Sequence, residues 1–387
     1  MIYANPAELG FDAAALEAAW AALVRGAEAG AYGGAVALVA RQGGIALHRA
    51  TGWAVREPFE DRSPIGTDAI FDLASLTKVT ATLPSILALV AADRLGLEQP
   101  VGEVLPEFGR DVDKREVTIR RLLAHTAGLL AWRAFYLDGV GIDAYLAAIA
   151  DGQPERTPGQ EALYSDPSFI LLGEVVRRVS GASVADFAAR TVFGPLGMTD
   201  TCYLPPRTMR SRIAATERGN PFEAAKEGDR AGSFDGWRTG LIRGEVHDGN
   251  AWYGLGGVAG HAGLFGTARD LARYGQCWLN GGELGDVRLL PADLVAEATT
   301  EQPPAGSNRA LGWRTAPPGD EVDPTDSGRG LGPRAFGHTG FTGTSLWVDP
   351  DLDLVLVLLT NRVHPEVRDD YLPIRSAFTA AVAAAAG

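Results

Sequence analysis

The chain has little cysteine, little lysine, no excess of positive charge and no long hydrophobic run, and each scarcity removes a class of protein. Of its 387 residues only two, Cys202 and Cys277, are cysteine. They lie far apart and fit no zinc or redox spacing, so neither a disulfide framework nor a cysteine metal site is expected. The net charge is −13, with basic and acidic residues interspersed. Such a surface has no basic face to displace counterions from a phosphate backbone, which argues against nucleic acid as a partner. The longest apolar stretches, near residues 83–92 and 352–359, fall short of the roughly 20 residues that cross a hydrocarbon layer as a helix, so no membrane partner is expected. Met1-Ile2-Tyr3, followed by Glu8, Asp12 and Glu17, shows no basic segment ahead of an apolar one, and the expected location is cytoplasmic.

Three lysines stand against thirty-two arginines. Arginine keeps its proton at any workable pH, so a chain that prefers it still needs lysine where a cation must give a proton up. Lys114 and Lys226 read as ordinary solvated charges. Lys78 instead follows Ser75 by three residues, in Phe71-Asp72-Leu73-Ala74-Ser75-Leu76-Thr77-Lys78, where an apolar helix is predicted to begin. That spacing puts the two side chains on nearly one face, a turn apart and within reach. Helix start and apolar surroundings both disfavour an ammonium, so the Lys78 pKa is expected to fall toward a value at which it takes the serine proton. The free N–H groups of a helix start, that of Ser75 included, suit a developing oxyanion. An isolated Ser-x-x-Lys is equally a helix cap with a surface lysine, so other segments must decide.

The length suits two domains or one discontinuous unit. Residues 12–29 carry Leu16, Trp20 and Leu23 at helical spacing. Residues 35–40 and 45–52 are apolar runs around Gly43-Gly44 and predict a hairpin. At the other end, residues 335–337, 345–348 and 352–360 predict strands, followed by a helix over 366–386. Between the ends the pattern is mainly helical, over 75–95, 118–124, 167–180 and 268–279. Residues 201–252 and 303–334 are rich in Gly, Pro and Arg and predict long surface or active-site loops. The expected fold is α+β: an antiparallel sheet built from both chain ends and flanked by helices, with an inserted mainly helical domain. The sheet domain is assigned to 1–74 and 285–387 and the helical domain to 75–284, with a pocket at the junction near Ser75.

Two further segments bear on the chemistry. Tyr164-Ser165-Asp166-Pro167 precedes an apolar helix, and Phe336-Gly337-His338-Thr339-Gly340-Phe341-Thr342-Gly343-Thr344 forms a Gly- and Thr-rich strand edge. With Ser75 and Lys78, and in this order, they resemble the serine β-lactamase and penicillin-recognising family, in particular its class C, esterase and D-amino-acid peptidase branch. Leu122-Leu123-Ala124-His125-Thr126-Ala127-Gly128-Leu129 and Leu171-Leu172-Gly173-Glu174 add to a likeness that covers most of the chain. The resemblance implies Ser75 as nucleophile, Lys78 as base, Tyr164 as a second proton carrier and His338-Thr339-Gly340 as the opposite wall. It further implies an oxyanion held by the N–H groups of Ser75 and Phe341, with His338 orienting substrate or the Tyr164 hydroxyl.

Two residues depart from the family pattern. Asp166 stands in place of asparagine, where it can pair with Lys78, raise its pKa and blunt it as a base, or bind a substrate amine. His338 stands in place of lysine and offers less to a substrate carboxylate. Simple esters and D-amino-acid derivatives are therefore expected ahead of penicillin-like substrates.

The other polar clusters carry less. Gly254 to Gly260 nominally matches a dinucleotide glycine pattern, but no strand precedes it, and a glycine loop bordering the cleft is expected. His247, Asp248 and His261 lack helical ligand spacing and are expected as hydrogen-bonded loop residues rather than metal ligands. His125 is expected to be structural, His48 and His364 carry no signal, and Trp252 with Tyr253 is placed near an acyl pocket. No Gly-x-Ser-x-Gly elbow occurs. The expected function is a serine hydrolase of small ester, amide or peptide substrates, with no cofactor or metal. The alternatives are a β-lactamase or D-alanyl-D-alanine carboxypeptidase, and a non-catalytic binding or scaffold protein.

Overall fold

Both chain ends supply strands whose apolar residues alternate between two covered faces, and this positions everything else. The structure is a computed structural model and describes residues 1–110, 114–317 and 326–387. Its main elements are α1 (Ala13–Glu28), β1 (Gly34–Arg41), β2 (Gly44–Val55), α2 (Leu83–Ala91), α3 (Asp166–Ser180), α4 (Ala268–Leu279), β3 (Phe336–Thr339), β4 (Ser345–Asp349), β5 (Leu354–Thr360) and α5 (Tyr371–Ala386). Three two-residue strands join these five in an eight-stranded sheet, ordered Ile2–Tyr3, β2, β1, β5, β4, β3, Arg314–Thr315, with Ser63–Pro64 beside β2. The pairing of β1 with β5, in register Val36↔Leu359 and Leu38↔Val357, unites the two ends of the chain. The α+β architecture expected from the sequence is present.

Successive strand side chains point to opposite faces. Val36, Leu38, Val355 and Val357 enter the larger core, shared with α4 and the inserted helices. Ala37, Val39, Leu356 and Leu358 face the smaller core under α1 and α5. Burying each such aliphatic side chain contributes about 1.5–3 kcal/mol. Gly275 lets α4 lie close on the sheet, since a Cβ there would come 2.7 Å from Val355 Cγ1.

Asp12 caps α1, its Oδ1 accepting from the N–H groups of Ala14 and Ala15. The first hairpin turns at Gln42 and Gly43, both left-handed (φ 52° and 74°), one residue earlier than Gly43-Gly44. Gly44 belongs to the strand instead, paired with Arg41, and a Cβ there would meet Leu9 at 2.8 Å. The predicted helix over 75–95 is interrupted by a π-turn at Lys78–Thr82 before α2. Pro84, which lacks the N–H an unbroken α-helix would use, follows that wider turn directly. The last helix starts at Tyr371, after Asp370, rather than near residue 366. The loop over 201–252 holds a strand at Cys202–Tyr203 and a helix at Pro221–Glu227. Of the loop over 303–334, residues 318–325 lie outside the described residues. No helix among the described residues is long and apolar enough to cross a membrane.

Candidate active site

Ser75 sits at the tip of an elbow between the short strand Phe71–Asp72 and the helical segment that follows. Ala74 before it has φ 45°, a conformation that costs a non-glycine residue energy and persists only when its surroundings enforce it. Here they do. Asp72 Oδ1 accepts from Ala74 N–H at 2.9 Å, and the Thr342 and Thr344 hydroxyls donate to the carbonyls of Asp72 and Leu73 at 2.7 and 3.1 Å. Gly340, at the end of β3, closes the approach, since a Cβ there would fall 2.4 Å from Leu73 O and 2.2 Å from Thr344 Oγ1. The Gly- and Thr-rich edge noted in the sequence is therefore the clamp on the nucleophile elbow.

Lys78 Nζ lies 2.8 Å from Ser75 Oγ, 2.8 Å from Asp166 Oδ1 and 3.1 Å from His261 O. Lys78 Nζ stands 4.9 Å from the centroid of the Tyr164 ring, which brings the tyrosine into the same cluster. The sequence suggested a depressed lysine pKa. Burial does push it down, but the Asp166 carboxylate and Tyr164 outweigh burial, and Lys78 is held above its ordinary value. Burial also raises the Tyr164 hydroxyl, against the opposing pull of Lys78. The resting site thus holds an ammonium and a phenol. The N–H groups of Ser75 and Phe341 donate to no other group of the protein among the described residues.

Two buried imidazoles hold Tyr164, with ring centroids 4.6 Å away for His125 and 5.8 Å for His338. His125 Nδ1 accepts from Ser165 N–H at 3.0 Å, so this structural histidine fixes the Tyr164–Asp166 segment. His338 Nδ1–H donates to Thr339 O at 2.8 Å, and its Nε2 is buried without a partner among the described residues. Burial, with Lys78 and Arg309 nearby, holds the His338 pKa well below the ordinary histidine value, so the ring is neutral. Thr339 closes β3 and accepts that bond.

A cavity of about 240 Å³ opens over the nucleophile, lined in part by Ser75, Tyr164, Asp166, His247, Asp248 and Phe341. Trp132, Phe222, Glu223 and Lys226 also line it, Lys226 from the exposed side. Trp252 and Tyr253, expected at an acyl pocket, lie instead against Arg238. Trp132, Phe222 and Phe341 form the apolar wall, and Lys226 Nζ stands 3.7 Å over the Trp132 ring. Neither of the lysines read as solvated is a simple surface charge. Lys114 is buried and donates to the carbonyls of Ile149, Ala150 and Gly152 at a helix end. Phe222, Glu223 and Lys226 carried no motif; the one available signal was Pro221 after Asn220, a helix start inside the predicted loop.

The cavity wall is acidic. Asp248 is pulled down to about 2 because His261, Ala251 N–H and Lys78 outweigh its burial. Glu223 is raised to about 7, first by burial and then by Asp248. A carboxyl with a higher pKa folded than unfolded binds more protons in the folded state, so its contribution to stability falls as pH rises from about 4.5 to about 7. The effect is on the order of 3 kcal/mol at most. The unfolding midpoint of Glu223→Gln is therefore expected to fall less than that of wild type between about pH 5 and 8. Parallel slopes would remove Glu223 as the source.

Asp166, Asp248 and His261 each bring one ligand atom within 4.8 Å of the others. The Lys78 ammonium already supplies a cation to this group, through its ion pair with Asp166 and its pull on Asp248, whose Oδ1 lies 2.9 Å from His261 Nε2.

Residues 20–381 match the family model described as Beta-lactamase. A protein of Escherichia coli strain K12 that carries the provisional name D-alanyl-D-alanine carboxypeptidase is 33% identical over 318 residues, or 78% of this chain and 71% of that protein. Among solved structures, a penicillin-binding protein homologue from Caulobacter crescentus has a TM-score of 0.72 at 24% identity, covering 96% of this chain and 97% of that one. EstCE1, described as a hydrolase with promiscuous acyltransferase activity, has a TM-score of 0.73 at 22% identity, covering 95% and 99%. These two structural likenesses show the fold.

Proposed function

Because this chain belongs to the β-lactamase family, within the penicillin-recognising superfamily of serine-hydrolase-type enzymes, we propose that it cleaves small esters or peptide-type amides through an acyl-enzyme on Ser75. The observation that carries this proposal is the 2.8 Å contact of Ser75 Oγ with Lys78 Nζ at a cavity where two backbone N–H groups stand unused. Ser75 Oγ bonds to the substrate carbonyl carbon. Its proton passes into the Tyr164–Lys78–Asp166 cluster and on to the leaving group as the scissile bond breaks. The N–H groups of Ser75 and Phe341 take the oxyanion, in a site the clamped elbow has already organised. His338 packs on the Tyr164 ring and Gly340 on the elbow, behind the cavity rather than along it.

The chemistry of the wall narrows the substrates. Asp166, Glu223 and Asp248 line the cavity, so substrates without a carboxylate beside the reacting carbonyl are favoured. Lys226 supports a second proposal, carboxypeptidase action on a peptide ending in D-alanine, because its ammonium at the cavity mouth suits a terminal carboxylate.

The test is hydrolysis of a short-chain p-nitrophenyl ester by wild type and Ser75→Ala, with chelator present and the intact protein weighed for an acyl adduct. Chelator-resistant turnover that depends on Ser75 is the expected result. Absence of Ser75-dependent turnover on esters and on D-alanyl peptides would leave a binding protein.

A further inference from the structure

We propose that His247, oriented by Glu217, is the base that takes a proton from the water which releases the acyl group from Ser75. This rests on the Ser75 acyl-enzyme proposed above. Lys78 rests as an ammonium directed at Ser75 Oγ, Asp166 and His261 O. Tyr164 rests as a phenol whose proton is held above the ordinary tyrosine value. Both belong to the cluster that handles the serine proton in acylation, whereas His247 is a separate basic group on the same cavity.

His247 lines the same cavity as Ser75. Its backbone N–H donates to Asp72 Oδ2 at 2.7 Å, and the other oxygen of that carboxylate holds Ala74 N–H at the elbow. Its ring stacks on Phe341, with centroids 5.7 Å apart and planes at 26°. The imidazole is thus tied to the nucleophile elbow on one side and to the residue bearing the second oxyanion donor on the other. His247 Nε2 lies 3.0 Å from Oε2 of Glu217, which is 1% exposed and also accepts from Phe222 N–H. A carboxylate only accepts, so it fixes the proton of the neutral ring on Nε2 and leaves the lone pair on Nδ1. Nδ1 has no hydrogen bond to protein among the described residues and, unlike His338 Nε2, is not shut away from solvent. A carboxylate behind an imidazole is the arrangement by which proteins orient a base and stabilise its protonated form. The other acids facing the ring are Asp72 and Glu223.

The step balances. The water oxygen bonds to the acyl carbon as one proton passes to Nδ1. The carbon–Oγ bond then breaks, and Ser75 Oγ takes a proton from Lys78. Lys78 recovers a proton from Nδ1 through solvent, leaving free serine and the carboxylic acid.

The test follows p-nitrophenyl acetate through a stopped-flow burst and by intact mass. In His247→Gln and His247→Asn the burst of p-nitrophenol should persist at about one equivalent per enzyme. Steady-state turnover should fall by about 10²–10⁴-fold, and acetyl-enzyme should accumulate. Hydroxylamine, a nucleophile that needs no base at neutral pH, should speed release from both variants. Glu217→Gln should show the same pattern in weaker form and the same rescue, which a merely structural role would not produce. Loss of the burst in both histidine variants, or acetyl release at the wild-type rate, overturns the proposal. Wild-type turnover with no adduct and no dependence on Ser75 would instead overturn the acyl-enzyme itself.

Discussion

Alanine at position 75 is expected to lower ester turnover by about 10⁴–10⁶-fold, the scale on which other enzymes respond to loss of a nucleophile that acts in concert with its base. The fold should survive. Lys78 keeps Asp166 and the His261 carbonyl when the hydroxyl is removed, and the elbow is held by Asp72, Thr342, Thr344 and Gly340 rather than by Ser75. Stability should therefore change by no more than about 1 kcal/mol, the ordinary worth of one hydrogen bond. Thermal unfolding together with steady-state kinetics checks both halves. Retained turnover in a folded Ser75→Ala protein would remove Ser75 from the chemistry.

Asp166→Asn should move the alkaline limb of kcat/KM to lower pH. In the wild type the carboxylate holds Lys78 above its ordinary value against an opposing burial effect. With asparagine there, burial prevails and the lysine loses its proton earlier, by roughly 1–3 pH units. Lys78, Tyr164 and Asp166 titrate as a group, so the limb belongs to the cluster. The stability profile should change sign as well. A lysine whose pKa is raised on folding adds stability that is present below its unfolded value and lost as pH climbs through the folded one. A lysine whose pKa is lowered instead leaves the folded chain gaining stability as pH rises between the two values. At neutral pH the variant should be less stable by up to about 3–5 kcal/mol, the usual cost of leaving a buried charge unpaired. A pH–rate profile and unfolding curves from pH 6 to 11 on both proteins would decide the matter. An unmoved limb with parallel stability slopes would mean that Asp166 does not govern Lys78.

The sheet was legible in the sequence because both of its ends carry short apolar runs broken by turn residues, a local signal. Ser75 and Lys78 were legible for the same reason, three residues apart on one helix start. The residue type at 166 shows that it can pair with Lys78, but no local signal weighs that pairing against burial, and the carboxylate prevails only because folding brings it to 2.8 Å. The cavity mouth was not legible. Trp132 comes from a loop and Phe222, Glu223 and Lys226 from the short helix Pro221–Glu227 about ninety residues on, and nothing local marks which of these residues a distant elbow will meet. Lys114 was misjudged because a charge that caps a helix end from inside the protein looks, in sequence, like any surface lysine. His247 reads in sequence as one hydrogen-bonded loop residue among several, and only the fold reveals the glutamate thirty residues earlier that orients it.

The placing of the three lysines has a practical side. Lys78 and Lys114 are buried and Lys226 is exposed at the cavity mouth, so an amine-selective reagent added to the native protein meets one side-chain amine, and it stands over the active site. Dye conjugation, cross-linking or immobilisation through amines would thus act on the entrance to the pocket, and occlusion by substrate would be read out directly as slower labelling of Lys226.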